Sequence, residues 1–168
     1  MATMKLSNAD YVTLGYGQVE PNHLSAQRNG KIYAQLPIDE TISVLENGQF
    51  AKYDYVNGKV NMTGEGEWML VYNEVKIYDV REVDHDFAMI NRTKDNIPCP
   101  RLFKTDIGDI FTTNTIKATE LEVGDKLTIG TDGYLTEAGE GATGMIWAVV
   151  KVYSMPDNQP GVKLQRIA

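Results

Sequence analysis

Alternation of apolar and polar residues dominates the chain from about residue 40 onward. In the segment 71–80, one face of an extended chain carries Val71, Val75 and Ile77 with Asn73 and Asp79, and the other face carries mainly tyrosine and charged residues. This period of two is typical of a β-strand with one apolar face. Helical periodicity is missing from every ten-residue window, and residues 118–122 have room for one turn at most.

Two Asn-Gly dipeptides, ten residues apart, predict tight turns between short strands. Asn47-Gly48 separates the segments 42–46 and 49–55, and Asn57-Gly58 leads into the segment 59–62. Asn-Gly favours a type I′ hairpin because both central residues need a positive φ. The spacing predicts a β-meander.

Further strand candidates follow at short intervals toward the C-terminus. They are residues 87–90, 101–105, 110–113, 126–129, 133–136, 144–153 and 162–167. Many short strands divided by turn residues are typical of β-sandwiches and barrels. We therefore expect an all-β fold, a compact antiparallel β-barrel or β-sandwich.

Residues 1–34 lack this regularity. They contain glycine, proline and small polar residues, with scattered apolar residues such as Tyr11, Leu14 and Val19. Two interpretations stay open: a frayed terminus, or an extended arm that becomes ordered against a neighbouring subunit. We predict an extended N-terminal arm over 1–34 and a single β domain over 35–168.

One short pattern occurs twice, sixteen residues apart. Residues 107–112 and 123–128 both read apolar-Gly-Asp-x-apolar-Thr. Glycine permits a positive φ and aspartate accepts bonds from turn amides, so each copy predicts a tight corner that leads into a strand. The alternative is a pair of catalytic carboxylates, Asp109 and Asp125, for acid–base chemistry.

Composition and charge narrow the function classes. The 168 residues carry 16 Lys plus Arg against 23 Asp plus Glu, a net charge of −7. This acidity disfavours nucleic acid as a partner. One cysteine and two histidines provide neither a disulfide framework nor a thiolate metal cluster. The longest apolar run, residues 145–150, is too short for a membrane helix, and no secretory signal is visible, so we expect a cytoplasmic protein without a membrane partner.

Other possible chemical motifs have simpler interpretations. The glycine-rich segment 139–144 matches a dinucleotide-binding spacing but precedes a strand-type run, so a hairpin loop is favoured. Asp84-His85-Asp86 reads as a solvated acidic turn, with a calcium site as the alternative. Cys99, between two prolines, is expected to be a small buried residue. We assign no catalytic, cofactor-binding or metal-binding residue and expect a protein that is not an enzyme.

Tyrosine is abundant in the central strands, at Tyr53, Tyr55, Tyr72 and Tyr78. Aromatic side chains on a β-surface can stack nucleic-acid bases, but such sites usually lie in a basic groove. Here the neighbouring residues are acidic. Tyrosine is also typical of protein–protein interfaces, which is the interpretation we prefer.

Several short segments of the sequence resemble small structural proteins of tailed bacteriophages, of the capsid-decoration or auxiliary head type. These segments are residues 45–53, 66–76, 108–114, 123–127, 131–135, 147–153 and 161–164. The resemblance spans about residues 30–168. It implies a non-enzymatic β protein that docks on the assembled capsid, with the major capsid protein or other virion proteins as partners. Proteins of this kind often form trimers, so a homo-oligomer, with a trimer favoured, is expected at the virion surface after assembly in the host cytoplasm.

Three alternatives remain open at this point. The chain could be a tail, neck or head-fibre component of the virion. It could be a carbohydrate- or ligand-binding β module that uses Trp68, Trp147 and the tyrosines for stacking. It could also be a hydrolase that uses Asp109, Asp125 or the Asp84–Asp86 cluster.

Overall fold

The computed structural model describes residues 2–3, 17–73, 88–90, 98–155 and 159–168. Within these residues the chain is built almost entirely from short strands. The elements in chain order are β1 (Ala2–Thr3), β2 (Val19–His23), α1 (Ser25–Asn29), β3 (Ile32–Tyr33), β4 (Val44–Glu46), β5 (Phe50–Asp54), β6 (Lys59–Asn61), β7 (Trp68–Val71), β8 (Ala88–Ile90), β9 (Leu102–Phe103), β10 (Ile110–Thr113), β11 (Glu120–Leu121), β12 (Lys126–Ile129), β13 (Leu135–Glu137), β14 (Ile146–Ser154) and β15 (Pro160–Arg166). The expected all-β fold is confirmed.

Two larger sheets organise the molecule. One has six strands in the order β13-β12-β14-β15-β10-β2, and the other has five in the order β3-β9-β7-β5-β6. The pairs β1–β11 and β4–β8 form small additional sheets. The neighbouring strands in every sheet pair antiparallel. The described strands form open sheets rather than a closed barrel, so of the two architectures expected, the sandwich fits.

Aromatic side chains join the two sheets across the core. Phe50 on the five-stranded sheet lies 5.8 Å from Trp147 and 6.2 Å from Phe111, both on the six-stranded sheet. Phe111 and Trp147 meet edge to face at 4.8 Å between centroids. All three side chains are fully buried. Such contacts add to the apolar area that the two sheets remove from water.

The five-stranded sheet is buried on both faces. Phe50, Leu70 and Phe103 follow one another across its strands and face the six-stranded sheet. The opposite face carries a second buried cluster, in which Tyr53 and Val71 pack with residues that include Ile38 and Leu45. This double burial explains why the run Trp68–Val71 is apolar at every position rather than alternating.

The two Asn-Gly turns have different outcomes. The hairpin at Asn57-Gly58 is confirmed, because β5 pairs with β6 around it. At Asn47-Gly48 the chain does turn, with Gly48 at φ 92°. The predicted hairpin there is nevertheless wrong, because β4 pairs with β8 whereas β5 pairs with β6 and β7. Long-range pairing therefore overrides the local signal.

The described part of the predicted arm belongs to the folded body. β2 pairs with β10 at the edge of the six-stranded sheet, and β3 pairs with β9 in the five-stranded sheet. Between them Leu24 and Ala26 are buried in the main core, the latter on the short helix α1 that the sequence pattern did not reveal. The boundary predicted at residue 34 therefore needs correction, since the body already includes residues 17–34. Residues 4–16 lie outside the described residues.

Candidate functional site

The first copy of the repeated pattern forms a locked turn. The Asp109 amide donates to the Asp106 carbonyl at 3.1 Å, and the Asp109 carboxylate accepts the Asp106 amide at 2.9 Å. Gly108 has φ 95°, the conformation that a side chain would disfavour. Asp109 is buried and also accepts two bonds from Ser25. This carboxylate therefore holds the turn and ties α1 to it.

The second copy has the same geometry. The Asp125 amide donates to the Glu122 carbonyl at 3.2 Å, and the Asp125 carboxylate accepts the Glu122 amide at 2.7 Å. Gly124 has φ 102°. The tight corner predicted from the repeated pattern is confirmed at both places.

Each turn ends in a β-bulge against a neighbouring strand. The Gly108 amide donates to the Arg166 carbonyl, and the Arg166 amide donates back to the Asp109 carbonyl, both at 2.9 Å. The second turn makes the same two bonds with Val149, at 2.8 and 2.9 Å. Two residues opposite one, with glycine first at positive φ, define a G1-type bulge. The sequence pattern contained the turn but not its pairing partner.

The two turn units are related by an approximate two-fold axis. Ile110 and Lys126 are the first residues of the strands that follow the turns, and they pair with Gln165 and Ala148. Ala148 and Gln165 are themselves cross-strand partners. An axis normal to the sheet between these two residues therefore exchanges the units. Asp109 and Asp125 lie three strand spacings apart, roughly 14 Å, so the structure does not bring them together as a carboxylate pair.

Both units expose aliphatic side chains at corresponding positions. Ile107 and Val123 occupy the same position of the two turns and are 71% and 68% exposed. The residues that follow the two bulge acceptors, Ile167 and Val150, are 41% and 39% exposed. We call Ile107 with Ile167 the first apolar pair and Val123 with Val150 the second apolar pair. The two turn units thus present aliphatic side chains to solvent at equivalent positions.

Two lysines lie beside the second apolar pair on the solvent-facing side of the six-stranded sheet. Lys151 and Lys163 are direct cross-strand partners, an arrangement in which like charges repel. Neither forms an ion pair with a residue that the structure describes. Lys151 lies over the Tyr153 ring at 5.1 Å, and burial together with the hydrogen bond to Glu20 raises the pKa of Tyr153. Two carboxylates lie in the same region, Glu20 on the Tyr153 hydroxyl and Glu122 beside Lys151, so the two lysines do not make it basic.

A third exposed apolar group lies at the tip of the β5–β6 hairpin, residues 54–57, which we call the hairpin tip. Tyr55 is 70% exposed and Val56 is 95% exposed. The Asp54 carboxylate accepts bonds from the amides of Val56 and Asn57 at 3.1 and 3.0 Å and from the side chains of Asn57 and Asn61 at 2.8 and 3.0 Å. The hydrogen bonds from the Asn57 side chain and backbone are the main cause that lowers the pKa of Asp54.

A row of aromatic rings supports the hairpin tip. The ring centroids of Tyr33 and Tyr53 lie 5.4 Å apart, and those of Tyr53 and Tyr55 lie 5.5 Å apart. The buried Tyr53 hydroxyl accepts bonds from the amides of Gln35 and Leu36. Of the tyrosines singled out in the sequence, Tyr55 is exposed and packs on the buried Tyr53. Tyr78 lies outside the described residues.

The other sequence candidates do not assemble a reactive centre. Cys99 is exposed, so its predicted burial is wrong, and the neighbouring Pro100 is buried instead. The segment 139–144 leads into β14, as expected for a loop that opens a strand rather than a helix. The cluster at residues 84–86 lies outside the described residues. No group of three or more His, Cys, Asp and Glu side chains in the described ranges is placed to hold a metal ion.

The two tryptophans differ in their access to solvent. Trp147 is fully buried between the sheets, and its indole Nε1 has no hydrogen-bond partner among the described residues. Trp68 is half-buried, and the Lys52 ammonium lies over its ring at 4.6 Å. Trp147 therefore offers no stacking surface, and Lys52 occupies one side of the Trp68 ring.

A comparison of the chain with protein-family models, curated proteins and solved structures found no match. Among the described residues no helix has the length and apolar character required to cross a membrane. Inference about function therefore depends on the geometry of the exposed turns.

Proposed function

We propose that this chain is a non-enzymatic structural protein of a tailed-bacteriophage virion that docks on the assembled capsid and stabilises it by bridging neighbouring capsid subunits. The observation that carries the proposal is the placement of the exposed large apolar side chains. Ile107, Val123 and the hairpin tip lie on hydrogen-bonded turns at three separate places. Ile167 and Val150 are exposed on the chain that pairs with the first two turns. A protein that bridges subunits needs more than one contact point.

Rigid turns suit repeated docking on a lattice. Because the turns are already held by their own carboxylates, little conformational entropy is lost when they contact a partner. Each apolar pair is small, so a single contact is weak. Many copies on a repeating surface, each engaged at several points, gain strength by avidity. The partner in this proposal is the major capsid protein or another virion protein, and the site of action is the virion surface after assembly in the host cytoplasm.

The first test is the composition of purified particles. We expect mass spectrometry of tailed particles from cells that carry the gene to detect the chain at many copies per particle. Its absence from particles, while the protein is present in the producing cells, would refute the proposal. Labelled antibody viewed by electron microscopy then separates the capsid from the tail, neck or head fibres, the alternative positions on a virion.

The second test is docking itself. Purified protein added to particles that lack it should bind and should raise the temperature at which their DNA is released. Ile107→Asp, which places a charge in the first apolar pair without touching the core, should bind at least about tenfold more weakly. A protein that binds equally well with this change docks through another surface.

A further inference from the structure

We propose that Asn57, in the hairpin tip, is a site of spontaneous covalent modification, at which the Asn57-Gly58 dipeptide cyclises and hydrolyses to aspartate or isoaspartate. The proposal does not depend on the virion role. Water is its one co-reactant. It follows from the different surroundings of three chemically identical Asn-Gly dipeptides in this chain, at residues 29–30, 47–48 and 57–58.

The reaction needs the side chain of Asn57 and the backbone nitrogen of Gly58. Glycine has no side chain to block the approach of its nitrogen, so Asn-Gly is well suited to ring closure. The Gly58 nitrogen attacks the side-chain carbonyl carbon of Asn57 and forms the new C–N bond of a five-membered succinimide. The bond from that carbon to Nδ2 breaks, and ammonia leaves with the proton that the Gly58 amide loses. Water then opens one ring carbonyl or the other, which gives aspartate or isoaspartate.

The structure leaves both reacting groups accessible at the hairpin tip. The Asn57 side chain is exposed, and a Cβ built on Gly58 would meet nothing within 4 Å, so the space beside the attacking nitrogen is free. Among the residues that the structure describes, no backbone hydrogen bond engages the Gly58 amide. The bond from Asn57 Nδ2 to the Asp54 carboxylate, at 2.8 Å, lies at the exposed surface. Exposed hydrogen bonds of this kind open at a small cost in free energy.

The same dipeptide is protected at Asn47. Its side chain is 2% exposed, its Nδ2 donates to the Asn73 carbonyl at 3.1 Å, and its Oδ1 accepts the Asn73 amide at 2.7 Å. The Gly48 amide donates to the Val71 carbonyl at 3.0 Å. Both reacting groups are therefore engaged inside the fold. Freeing them requires a buried region to open, which costs far more free energy than opening a hairpin tip.

Asn29 separates the effect of exposure from the effect of amide bonding. It is exposed, as Asn57 is, and it is the last residue of α1. The amide of Gly30, however, donates to the Ala26 carbonyl and closes the helix. The attacking nitrogen is engaged there although the side chain lies in water. We therefore expect Asn57 to react faster than Asn29, and Asn29 to react faster than Asn47.

Conversion changes the hairpin tip in two ways. The Asn57 amide that donates to Asp54 becomes a carboxylate, so two negative charges replace one hydrogen bond. In isoaspartate the main chain runs through the former side chain and is longer by one atom, which disturbs the pairing of β5 with β6. The tip thus gains negative charge and loses its hydrogen-bonded geometry as the protein ages.

The experiment incubates the purified full chain at mildly alkaline pH and follows each dipeptide by peptide mass spectrometry. Electron-transfer fragmentation distinguishes aspartate from isoaspartate, and ion exchange separates the more acidic product from unmodified protein. In the folded protein, Asn57 should convert at least about tenfold faster than Asn47. The rate should rise with pH, because the attacking nitrogen must lose its proton. The chain unfolded in guanidinium chloride is the matched control, in which the three dipeptides should convert at similar rates.

Two variants verify the assignment. Asn57→Gln has a longer side chain that closes a ring far less readily, so this variant should lose most of the acidic product. Asn29→Gln makes the same change at another exposed position and should leave the acidic product almost unchanged. The proposal is overturned if folded Asn57 stays unmodified while the unfolded chain converts. It is also overturned if Asn29 or Asn47 converts as fast as Asn57 in the folded protein, or if Asn57→Gln retains the acidic product.

Discussion

Asp54 shows how one carboxylate shapes a surface turn. It accepts four hydrogen bonds from residues at and beside the hairpin tip, and these bonds hold Tyr55 and Val56 in their exposed positions. Asp109 and Asp125 act in the same way at the repeated turns, where each accepts the amide of the residue three positions earlier. Each of the three turns is therefore held by a carboxylate acceptor, to which the ring contacts of Tyr53 add at the hairpin tip.

The hairpin tip should lose stability in acid because of Asp54. Hydrogen bonding lowers its pKa in the folded protein below the ordinary value of 3.8. A lowered carboxyl pKa contributes stability that is present above the unfolded value and is lost as the pH falls through the folded value. We expect wild type to be more stable than Asp54→Asn at neutral pH, with the difference shrinking below about pH 4.

Denaturant unfolding of both proteins across this pH range measures the difference, and a carboxyl NMR titration assigns the pKa. A difference between the two proteins that stays constant down to pH 2 would contradict the assignment to Asp54.

At the scale of elements, substitutions at the turn glycines can distinguish the cost of backbone strain from the cost of a steric clash. Gly108 and Gly124 have φ 95° and 102°, and an added Cβ would meet nothing within 4 Å. Gly133 has φ 80°, but its Cβ would lie 2.1 Å from the Phe50 carbonyl oxygen. Replacement by alanine should cost about 1–2 kcal/mol at the first two positions. At Gly133 the loss should be larger, above about 3 kcal/mol, because buried backbone must move.

Urea unfolding of the three single variants gives these free energies. Equal losses at all three positions would show that the close approach at Gly133 is relieved without cost. Unequal losses at Gly108 and Gly124 would show that the two turn units are less alike than their hydrogen bonds indicate.

Local signals predicted the elements well where the local geometry was sufficient. The hairpin at Asn57-Gly58 and the turns around Gly108 and Gly124 were readable because their own side chains and positive φ values define them. The strand residues that pair with the turns could not be predicted from the sequence. Arg166 and Val149 close the bulges, and a two-fold axis relates the two units, because of pairings over long sequence separations.

At the scale of the whole molecule, N-terminal deletions test which residues belong to the cooperatively folded domain. Deletion of residues 1–33 removes β2, α1 and β3, together with the buried Leu24 and Ala26. It also uncovers one edge of β10. We expect this deletion to abolish cooperative thermal unfolding, since loss of one buried leucine side chain alone costs about 2–5 kcal/mol.

Deletion of residues 1–16 is the matched control. Of the pairings described here it removes the contact of β1 with β11, and it keeps β2 and β3. We expect a cooperative transition in this variant, followed by calorimetry. A cooperative transition after the longer deletion would mean that residues 17–33 are dispensable to the body.

The fold class was predictable and the layer arrangement was not. Alternation and frequent turns indicated an all-β protein, but a barrel and a sandwich have the same strand pattern. Burial on both faces hid the alternation of Trp68–Val71, and the irregular composition of residues 17–34 concealed two strands and a helix. For the candidate site, Tyr55 was foreseen as an interface residue, whereas Ile107 and Val123 appeared in the sequence as ordinary apolar residues before strands.

Cys99 has a practical consequence, because the chain contains one cysteine and its thiol lies at the surface. One maleimide dye per chain can therefore be attached without engineering, on a segment between two prolines. Each bleaching step in single-molecule fluorescence then represents one copy. Counting these steps gives the number of chains in an oligomer or on a particle.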